Sequence, residues 1–469
     1  MPCAILIVWV ILCIHPALAV LSREERLSVQ TPIVLVHGFG GWRREFFPNN
    51  PYWGRHHGDY AQKLKEEGFR VLSAEIGPFS SNWDRACELF AVVKGGRVDY
   101  GRGHANKHKH KQDGRQHEEG LFKEWGETIN GKVNKVHFIG HSMGGPTIRM
   151  LAHLLYHGVK STPMEAMVDK SHPFYSGGKD WIDSITFLES PLTGLILADK
   201  LQLLQFIAYP ALKFGELLSP FTGHPLDTHM DQWSIDAWEG LKYSVIRFLQ
   251  GVVNIISLKA PFPDTASYSL TTTGAKEENN WVKNVDTILH FAYTTGHERE
   301  AENMAHSLTC LRNEVLTVSQ KLINGLKKST NHGIDQSDTT TLLPCQGNDG
   351  VVEKKSMLGL EIYKRVFGPT LDLSRGGTLH IFAHFDNFYH GYIMGGHPEL
   401  DVLPLLRRHA AILRSLNNDL GETLSKKHLK YLDRDINELQ KKSGSIVHRY
   451  FPSHSSSDDR AAESENSVR

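Results

Sequence analysis

The chain has 469 residues, of which 40% are hydrophobic, so it is long enough to bury a large core. Its 52 basic and 52 acidic residues balance to a net charge of zero, which argues against a polyanion such as nucleic acid as a partner. The 27 histidines are numerous, and their clustering bears on metal binding.

Residues 1–19 have the pattern of a secretory signal peptide. An apolar run from Ala4 to Ile14 is followed by Ala17 and Ala19, which are spaced as in a cleavage site. We therefore predict a secreted protein cleaved after Ala19. Because no Lys or Arg precedes the apolar run, an uncleaved membrane anchor is the alternative. No later stretch predicts a transmembrane segment.

Cleavage at this site leaves three cysteines, Cys87, Cys310 and Cys345. An odd number allows at most one internal disulfide and one free thiol. The sequence leaves the pairing open.

The mature chain begins with a buried strand and a glycine-rich turn. The run Thr31–Gly38 is apolar and β-branched, and it leads into Phe39, Gly40 and Gly41. We expect a helix over Asp59–Glu67, a strand over Phe69–Ala74 and a helix capped by Ser81. An insertion over about 84–118, rich in Gly, Lys and His, follows, and then a helix over Glu119–Ile129.

The sequence Gly140-His141-Ser142-Met143-Gly144 follows a β-type run, Val133–Ile139, and precedes a helical pattern, Pro146–Tyr156. Strand, Gly-x-Ser-x-Gly and helix together are typical of a nucleophile elbow, in which a strained turn exposes the serine. This context predicts an α/β-hydrolase fold, with a mostly parallel central sheet and helices on both faces. It also predicts backbone N–H donors to an oxyanion from Phe39 and Met143. The alternative is a chance occurrence of the motif in a loop.

Beyond the elbow, a strand is predicted over Trp181–Leu188. The segment Leu195–Phe221 is apolar nearly all round, which fits either a core helix or a lid over an acyl pocket; its position favours a lid region over about 195–233. The later elements predicted are the following: strands Thr287–Tyr293 and Thr378–Phe382, and helices Leu400–Leu416 and Glu422–Leu439. We assign one catalytic domain to residues 20–442 and a disordered polar tail to 443–469.

A serine hydroxyl needs a base to accept its proton and an acid to orient that base. In this fold the acid and then the histidine follow the serine along the chain. Asp349, in an Asn-Asp-Gly turn, is the candidate acid, and His384, at the end of a predicted strand, is the candidate base. By spacing alone, His380, His390 and His397 compete with His384.

The sequence resembles the large secreted lipases of thermophilic bacteria, which have plant and other eukaryotic relatives. The resemblance rests on motifs spread over most of the mature chain. The principal ones are Pro32–Phe39, Tyr52-Trp53-Gly54, Ser80–Glu88, Val98–Gly101, the elbow, Asp231-Gln232-Trp233 and Asn348-Asp349-Gly350. Two departures are Ala383, where the family has an acidic residue before the histidine, and Met143, where the bacterial enzymes have Gln.

The resemblance implies a triad of Ser142, Asp349 and His384, and an apolar helix that covers the site and opens at lipid interfaces. It implies a structural zinc ion held by a set of four residues, namely Asp84, His104, His110 and Asp231. Without the two aspartates, the histidines would fit a solvated basic loop. Calcium is a further possibility, with Asp386 in the place of the family's glutamate.

The expected function is that of a secreted serine lipase acting on long-chain acylglycerols at a lipid–water interface. A carboxylesterase or phospholipase of the same fold is one alternative. A secreted lipid-binding protein that has lost catalysis is another. The sequence does not indicate an oligomeric state.

Overall fold

The structure is a computed structural model that describes residues 30–41, 51–160, 162–169, 172–201, 229, 231–233, 264–296, 351–370, 373, 375–416 and 426–450. Its strands are β1 (Ile33–Val36), β2 (Val71–Ala74), β3 (Gly96–Asp99), β4 (Asp113–His117), β5 (Thr128–Ile129), β6 (Lys132–Val133), β7 (Val136–His141), β8 (Ile182–Leu188), β9 (Leu289–Gly296), β10 (Lys364–Phe367) and β11 (Thr378–Asp386). Its helices, numbered within these ranges, are α1 (Tyr60–Glu66), α2 (Asn82–Lys94), α3 (Arg102–His108), α4 (Gly144–Tyr156), α5 (Ile196–Leu201), α6 (Ala266–Ser269), α7 (Thr272–Asn279), α8 (Lys354–Met357), α9 (Leu403–Ser415) and α10 (Lys426–Tyr450).

Seven strands form a central sheet in the order β10-β11-β9-β8-β7-β1-β2. Every neighbouring pair in this sheet is parallel. Parallel strands need crossover connections, which place helices on the faces of the sheet. The predicted α/β fold with a mostly parallel sheet is therefore confirmed.

The two faces of the sheet pack against different helices. On β1, Val34 and Val36 belong to one buried cluster, which contains residues of α2 and α4. The alternate residues, Ile33 and Leu35, belong to a second cluster, with residues of α1, α9 and α10. Because successive side chains of a strand point to opposite faces, β1 is buried from both sides. This explains its unbroken apolar sequence.

Two helices begin close to where the sequence predicts. The side chain of Asp59 accepts a hydrogen bond from the Gln62 N–H at the start of α1, and Ser81 does the same for Asp84 at the start of α2. The elbow is also framed as predicted, since β7 ends at His141 and α4 begins at Gly144.

The helix predicted over Glu119–Ile129 is wrong. This segment contains turns and the short strand β5, and both Gly120 and Gly126 adopt positive φ angles that no right-handed helix contains. The apolar spacing that suggested a helix instead places Phe122 and Trp125 in the core.

Two later elements are longer than predicted. Strand β11 continues to Asp386, so His384 lies within the strand rather than after it. Helix α10 continues to Tyr450, which corrects the start of the tail at 443; residues 451–469 lie outside the described residues. Of the predicted lid region, the structure describes residues 195–201, 229 and 231–233, and the remaining residues lie outside the described ranges.

The carboxyl ends of β1, β7, β8 and β11 lie at one edge of the sheet. The loops that follow these strands begin at His37, Ser142, Glu189 and Asn387. This edge is where ligands bind in open α/β sheets. No helix within the described ranges is long and apolar enough to cross a membrane.

Candidate active site

Ser142 occupies a strained turn between β7 and α4. Its φ angle is +53°, in the left-handed region that non-glycine residues rarely adopt. A Cβ at Gly144 would lie 2.4 Å from the carbonyl oxygen of Val36, so only glycine lets α4 start this close to β1. The predicted strand–turn–helix geometry of the elbow is therefore confirmed.

The loop after β1 approaches the serine closely. A Cβ at Gly38 would lie 2.7 Å from Ser142 Cβ, and the Gly38 N–H donates to the Tyr52 hydroxyl at 2.9 Å. Phe39, directly after this contact, and Met143, directly after the serine, are the residues predicted to donate to an oxyanion. Because Phe39 adjoins Gly38 and Met143 adjoins Ser142, the backbone N–H groups of both residues lie near the nucleophile.

Arg85 of α2 fixes this loop from behind. Its buried guanidinium donates to the His37 carbonyl at 2.5 Å, to the Gly77 carbonyl at 2.7 Å and to the Thr147 hydroxyl of α4 at 2.9 Å. One side chain thus joins the loop after β1, the loop after β2 and the elbow helix. Burial lowers the pKa of the neighbouring His37 to about 3, which keeps that imidazole neutral and structural.

The histidine beside the serine is His390. Its Nε2 atom lies 2.9 Å from Ser142 Oγ, which is hydrogen-bonding distance for a nucleophile and its base. His390 belongs to the loop after β11, and the Gly391 N–H donates to the Glu189 carboxylate at 2.7 Å. Glu189 follows β8 and is fully buried.

The sequence predicts His384 as the base, but the structure places His390, and not His384, next to Ser142. His384 is within β11, which is separated from β7 by β9 and β8, a distance of about 14 Å at the usual strand spacing. Its Nδ1 lies 2.9 Å from the Thr294 hydroxyl and its Nε2 lies 3.4 Å from Asp386. The predicted acid, Asp349, lies outside the described residues.

From the sequence, His390 is only one of three histidines that compete with His384. The residue before His384 is Ala383, where the resemblance leads one to expect an acid, which counts against His384; because Tyr389 precedes His390, this signal does not select His390 either. Glu189 was not anticipated at all, since a glutamate after a strand gives no sign that it will be buried.

A second cluster gathers two imidazoles and two carboxylates in the interior. The ligand atoms of Asp84, His104, His110 and Asp264 all lie within 4.8 Å of one another. His104 Nε2 is 3.2 Å from both aspartates, and His110 Nε2 is 3.2 Å from Asp264. Two buried carboxylates facing two imidazoles form a donor set that a tetrahedral metal ion fits.

Neighbouring groups orient these donors. The Ser81 hydroxyl donates to Asp264 Oδ1 at 2.7 Å, and the Gln232 amide donates to Asp84 Oδ2 at 2.9 Å. His110 Nδ1 lies 2.6 Å from the Lys111 carbonyl, which leaves Nε2 to face the carboxylates. Such an outer shell is typical of metal sites.

Asp231 is not part of this cluster, which corrects the predicted ligand set. Its carboxylate forms a bidentate pair with Arg115, at 2.9 and 3.0 Å, and Asp264 takes the fourth position. The Asp-Gln-Trp motif still lies next to the cluster, because Gln232, the residue after Asp231, donates to Asp84. Asp264 precedes the capping residue of α6, and nothing in its sequence marks it as a ligand.

The electrostatics of the cluster are those of closely paired charges. Burial lowers the pKa of His104, but the charges of Asp264 and Asp84 raise it more, to about 9. The pKa of Asp264 is held well below its usual value by His104 and His110, despite the opposing effect of burial. A bound cation would replace these protons as the counter-charge.

Asp386, the residue considered for calcium, lies elsewhere. Its side chain faces His384 and Gln440, at 3.4 Å from each. Within the described ranges it belongs to no group of side chains that could hold a metal ion. Cys87 is a buried free thiol beside Tyr175, so it takes no part in a disulfide; Cys310 and Cys345 lie outside the described residues.

Apolar residues lie next to the elbow at the start of α5. Met143 and Leu195 belong to one small buried cluster, so α5 begins next to the elbow. Two apolar side chains of this region remain exposed, Phe39 at 48% and Ile196 at 39%. The sheet edge that carries the nucleophile thus also exposes apolar side chains.

A parallel sheet with a serine on a strained strand-to-helix turn defines the α/β-hydrolase class. Residues 29–332 match the family described as the lipase-like, C-terminal domain, which is more than half of the chain. The chain therefore belongs to that family.

Among curated proteins, the chain is 34% identical over 281 residues to a lipase of Staphylococcus epidermidis and 33% identical over 290 residues to lipase 1 of Staphylococcus aureus. These matches cover 58% and 60% of this chain, and 39% and 41% of the relatives. The chain thus spans about two fifths of the length of these relatives.

Solved structures agree on the fold. Lipase 1 from Pelosinus fermentans is 29% identical, with a TM-score of 0.61, and the match covers 83% of this chain and all of that one. EstA from Clostridium botulinum is 29% identical, with a TM-score of 0.60 and coverage of 83% and 88%. Staphylococcus hyicus lipase, at 24% identity, shares the fold, with a TM-score of 0.60 and coverage of 91% and 99%.

Proposed function

We propose that this protein is a serine lipase that hydrolyses carboxylic esters of long-chain acylglycerols through an acyl-enzyme. The observation that carries the proposal is the 2.9 Å distance between His390 Nε2 and Ser142 Oγ on a strained elbow. The similarity to lipases from several bacteria supports the same class of substrate.

In this mechanism, His390 replaces His384 as the base. Its Nε2 accepts the proton of Ser142 Oγ as the hydroxyl attacks the ester carbonyl. The N–H groups of Phe39 and Met143 stabilise the oxyanion, a contribution of about 3 kcal/mol for each donor in other hydrolases. His390 then protonates the leaving alcohol, and a water molecule, activated in the same way, releases the fatty acid. Asp349 remains the predicted acid of the triad.

The preference for lipid rests on the apolar surface around the serine. Phe39, next to Gly38, and Ile196, next to Leu195, expose apolar side chains near the elbow, where they would contact acyl chains or a lipid surface. The apolar segment that begins with α5 supports a lid over the site. The signal-like pattern of residues 1–19 supports secretion, which would place the enzyme where extracellular lipid is available.

We also propose that zinc is the ion held by Asp84, His104, His110 and Asp264. Two imidazole nitrogens and two carboxylate oxygens suit a closed, four-coordinate structural zinc site. Such an ion would neutralise two buried carboxylates and join α2, α3 and the segment that precedes α6. These residues act on the stability of the fold behind the active site, and none of them reaches the ester.

The function is tested by replacing the nucleophile. Ser142→Ala should reduce turnover of a triglyceride emulsion by at least about 10⁴-fold, because the acyl-enzyme cannot form. The wild-type rate should also increase when the substrate exceeds its solubility limit. Undiminished turnover by Ser142→Ala would refute the proposal, and a rate that stays flat across the solubility limit would favour an esterase.

A further inference from the structure

We propose that Glu189 is a positioning residue for the active-site base: its buried carboxylate orients His390 and stabilises the imidazolium that forms during catalysis. This inference rests on the proposed function, because it assigns a role in the same reaction. It is carried by the contacts of Glu189 with the loop of His390 and with the nucleophile strand.

Glu189 lies at the centre of the edge where the active-site loops meet. It directly follows β8, the neighbour of the nucleophile strand β7, and its side chain is completely buried. Its φ angle is +50°, so the backbone is held in the left-handed region at this position. A non-glycine residue in this conformation costs about 1–3 kcal/mol and persists where the surroundings fix it, often at functional sites.

One carboxylate oxygen of Glu189 faces three N–H groups or ring nitrogens. Oε2 accepts from the Gly391 N–H at 2.7 Å, lies 3.0 Å from His141 Nε2 and lies 3.7 Å from His390 Nδ1. The contact with Gly391 fixes the loop that presents His390. The contact with Nδ1 is longer than a hydrogen bond, but it is short enough for the carboxylate to attract a positive charge on the ring.

The network continues to the loop that carries the predicted oxyanion donor. The Gly38 N–H donates to the Tyr52 hydroxyl at 2.9 Å, and that hydroxyl lies 2.6 Å from His141 Nδ1. If Tyr52 donates to Nδ1, His141 carries its proton on Nε2 and donates it to Glu189. Glu189 therefore joins the loop that presents His390, the residue before the nucleophile and the loop after β1 in a single chain of hydrogen bonds.

The position of the carboxylate suits the charge that develops in the reaction. When His390 takes the proton of Ser142 on Nε2, the ring becomes cationic, and Nδ1 faces Glu189. Other titratable groups near this ring include His141 at the end of β7, 4.9 Å away between ring centroids, and Tyr52, whose hydroxyl lies 2.6 Å from His141 Nδ1. A negative charge beside the ring favours its protonated form and raises its pKa.

The experiment measures the acid limb of the pH profile of kcat/KM on a soluble ester, p-nitrophenyl butyrate, in full-length protein. Glu189→Gln keeps the size and an acceptor for the Gly391 N–H but removes the charge. Loss of the charge lowers the pKa of the base, so the limb should move to lower pH by about one unit, while kcat falls about 10-fold. Glu189→Asp, which keeps the charge but retracts it, should give a smaller shift in the same direction.

Asp386→Asn is the matched control, because it neutralises the carboxylate beside the other histidine, His384. Its acid limb should coincide with that of the wild type. If Glu189→Gln does not fold, the ordering of wild type and Glu189→Asp decides the question. An acid limb that is the same in the wild type and in every folded Glu189 variant would overturn the inference, because a structural role alone changes the rate and not the pKa.

Failure of the inference is distinguishable from failure of the proposed function. If the function fails, Ser142→Ala keeps the activity of the wild type. If only the inference fails, Ser142→Ala is inactive, and the acid limb does not move when Glu189 changes.

Discussion

Ser142 and His390 are 248 positions apart in the chain and 2.9 Å apart in the fold. His384 is only six positions before His390, yet β11 keeps it three strands away from the nucleophile. A histidine within a strand is fixed by the register of the sheet, whereas a histidine in the following loop can reach back along the sheet edge. The choice between them depends on where β11 ends.

At the residue scale, Gly38 gives a direct prediction. Gly38→Ala places a methyl group 2.7 Å from Ser142 Cβ, so the loop or the elbow must shift. A displacement of this kind misplaces the oxyanion donor, and we expect kcat on a soluble ester to fall about 100-fold. Steady-state kinetics measures this.

Gly444→Ala is the control for Gly38. A Cβ at Gly444, in α10, meets no atom within 4 Å, so the substitution should preserve activity and slightly favour the helix. Unchanged kcat in Gly38→Ala would mean that the close approach of the loop does not govern catalysis.

The sequence identifies residues well where local geometry dictates them. Ser142 lies between its strand and its helix, with a glycine two positions away on each side. Ser81 and Asp59 are helix caps whose hydrogen bonds reach only three residues along the chain. His390, Asp264 and Glu189 owe their positions to contacts across the fold. A pattern along the chain does not report such contacts, and for this reason the sequence points to His384 and Asp231 instead.

At the element scale, helix α2 connects the active site and the candidate metal site. Arg85 supports the loops and the elbow, and Asp84, one position earlier, belongs to the candidate metal site. Trp83 stacks on Tyr175, and its indole N–H donates to the Tyr100 carbonyl. The motif Asn82-Trp83-Asp84-Arg85, which contributes to the resemblance, is therefore one turn of helix whose side chains support both sites.

Arg85→Met should destabilise the fold, because it leaves the buried carbonyls of His37 and Gly77 without their donor. Loss of this buried hydrogen-bond network should lower the free energy of unfolding by about 3 kcal/mol. Urea unfolding measures the loss. Arg97→Met, at an exposed position in β3, is the control and should change stability by less than about 0.5 kcal/mol; equal losses in both variants would contradict the role of Arg85.

The metal cluster gives a matched pair of variants. Asp264→Asn removes a proposed ligand and should reduce the zinc content of the purified protein substantially, whereas Asp231→Asn breaks only the pair with Arg115 and should retain the metal. Elemental analysis together with thermal unfolding with and without a chelator measures both. The reverse pattern would restore Asp231 as the ligand.

At the scale of the whole molecule, the sequence predicted the class of fold because the signals for a parallel sheet are strong. Buried apolar runs end in loops, helical patterns alternate with them, and the elbow fixes one strand relative to one helix. The end of α10 and the turns over residues 119–129 were not predicted. Both depend on packing: α10 lies against β11, and Gly120 and Gly126 adopt backbone angles that their neighbours in the fold require.

The stability of the whole fold should depend on the ionisation of Glu278. Burial raises the pKa of this carboxyl to about 7, against about 4.5 when exposed, although hydrogen bonds from Asn82 and Ser269 oppose the effect. The folded state therefore binds the proton more tightly, and this contribution to stability, complete below pH 4.5, is lost as the pH rises to 7.

Glu278→Gln should remove this pH dependence. Relative to the wild type, the variant should gain about 2 kcal/mol in unfolding free energy at pH 8 compared with pH 5. Urea unfolding at the two pH values measures the difference. A constant difference between variant and wild type at both pH values would contradict the assignment.

The most direct test of the account is the reaction of Ser142 with a fluorophosphonate in matched histidine variants. We predict that wild type and His384→Gln are labelled at Ser142 at similar rates, located by peptide mass spectrometry, and that His390→Gln reacts at least about 1000-fold more slowly. Rapid labelling of His390→Gln together with loss of labelling in His384→Gln would contradict the account.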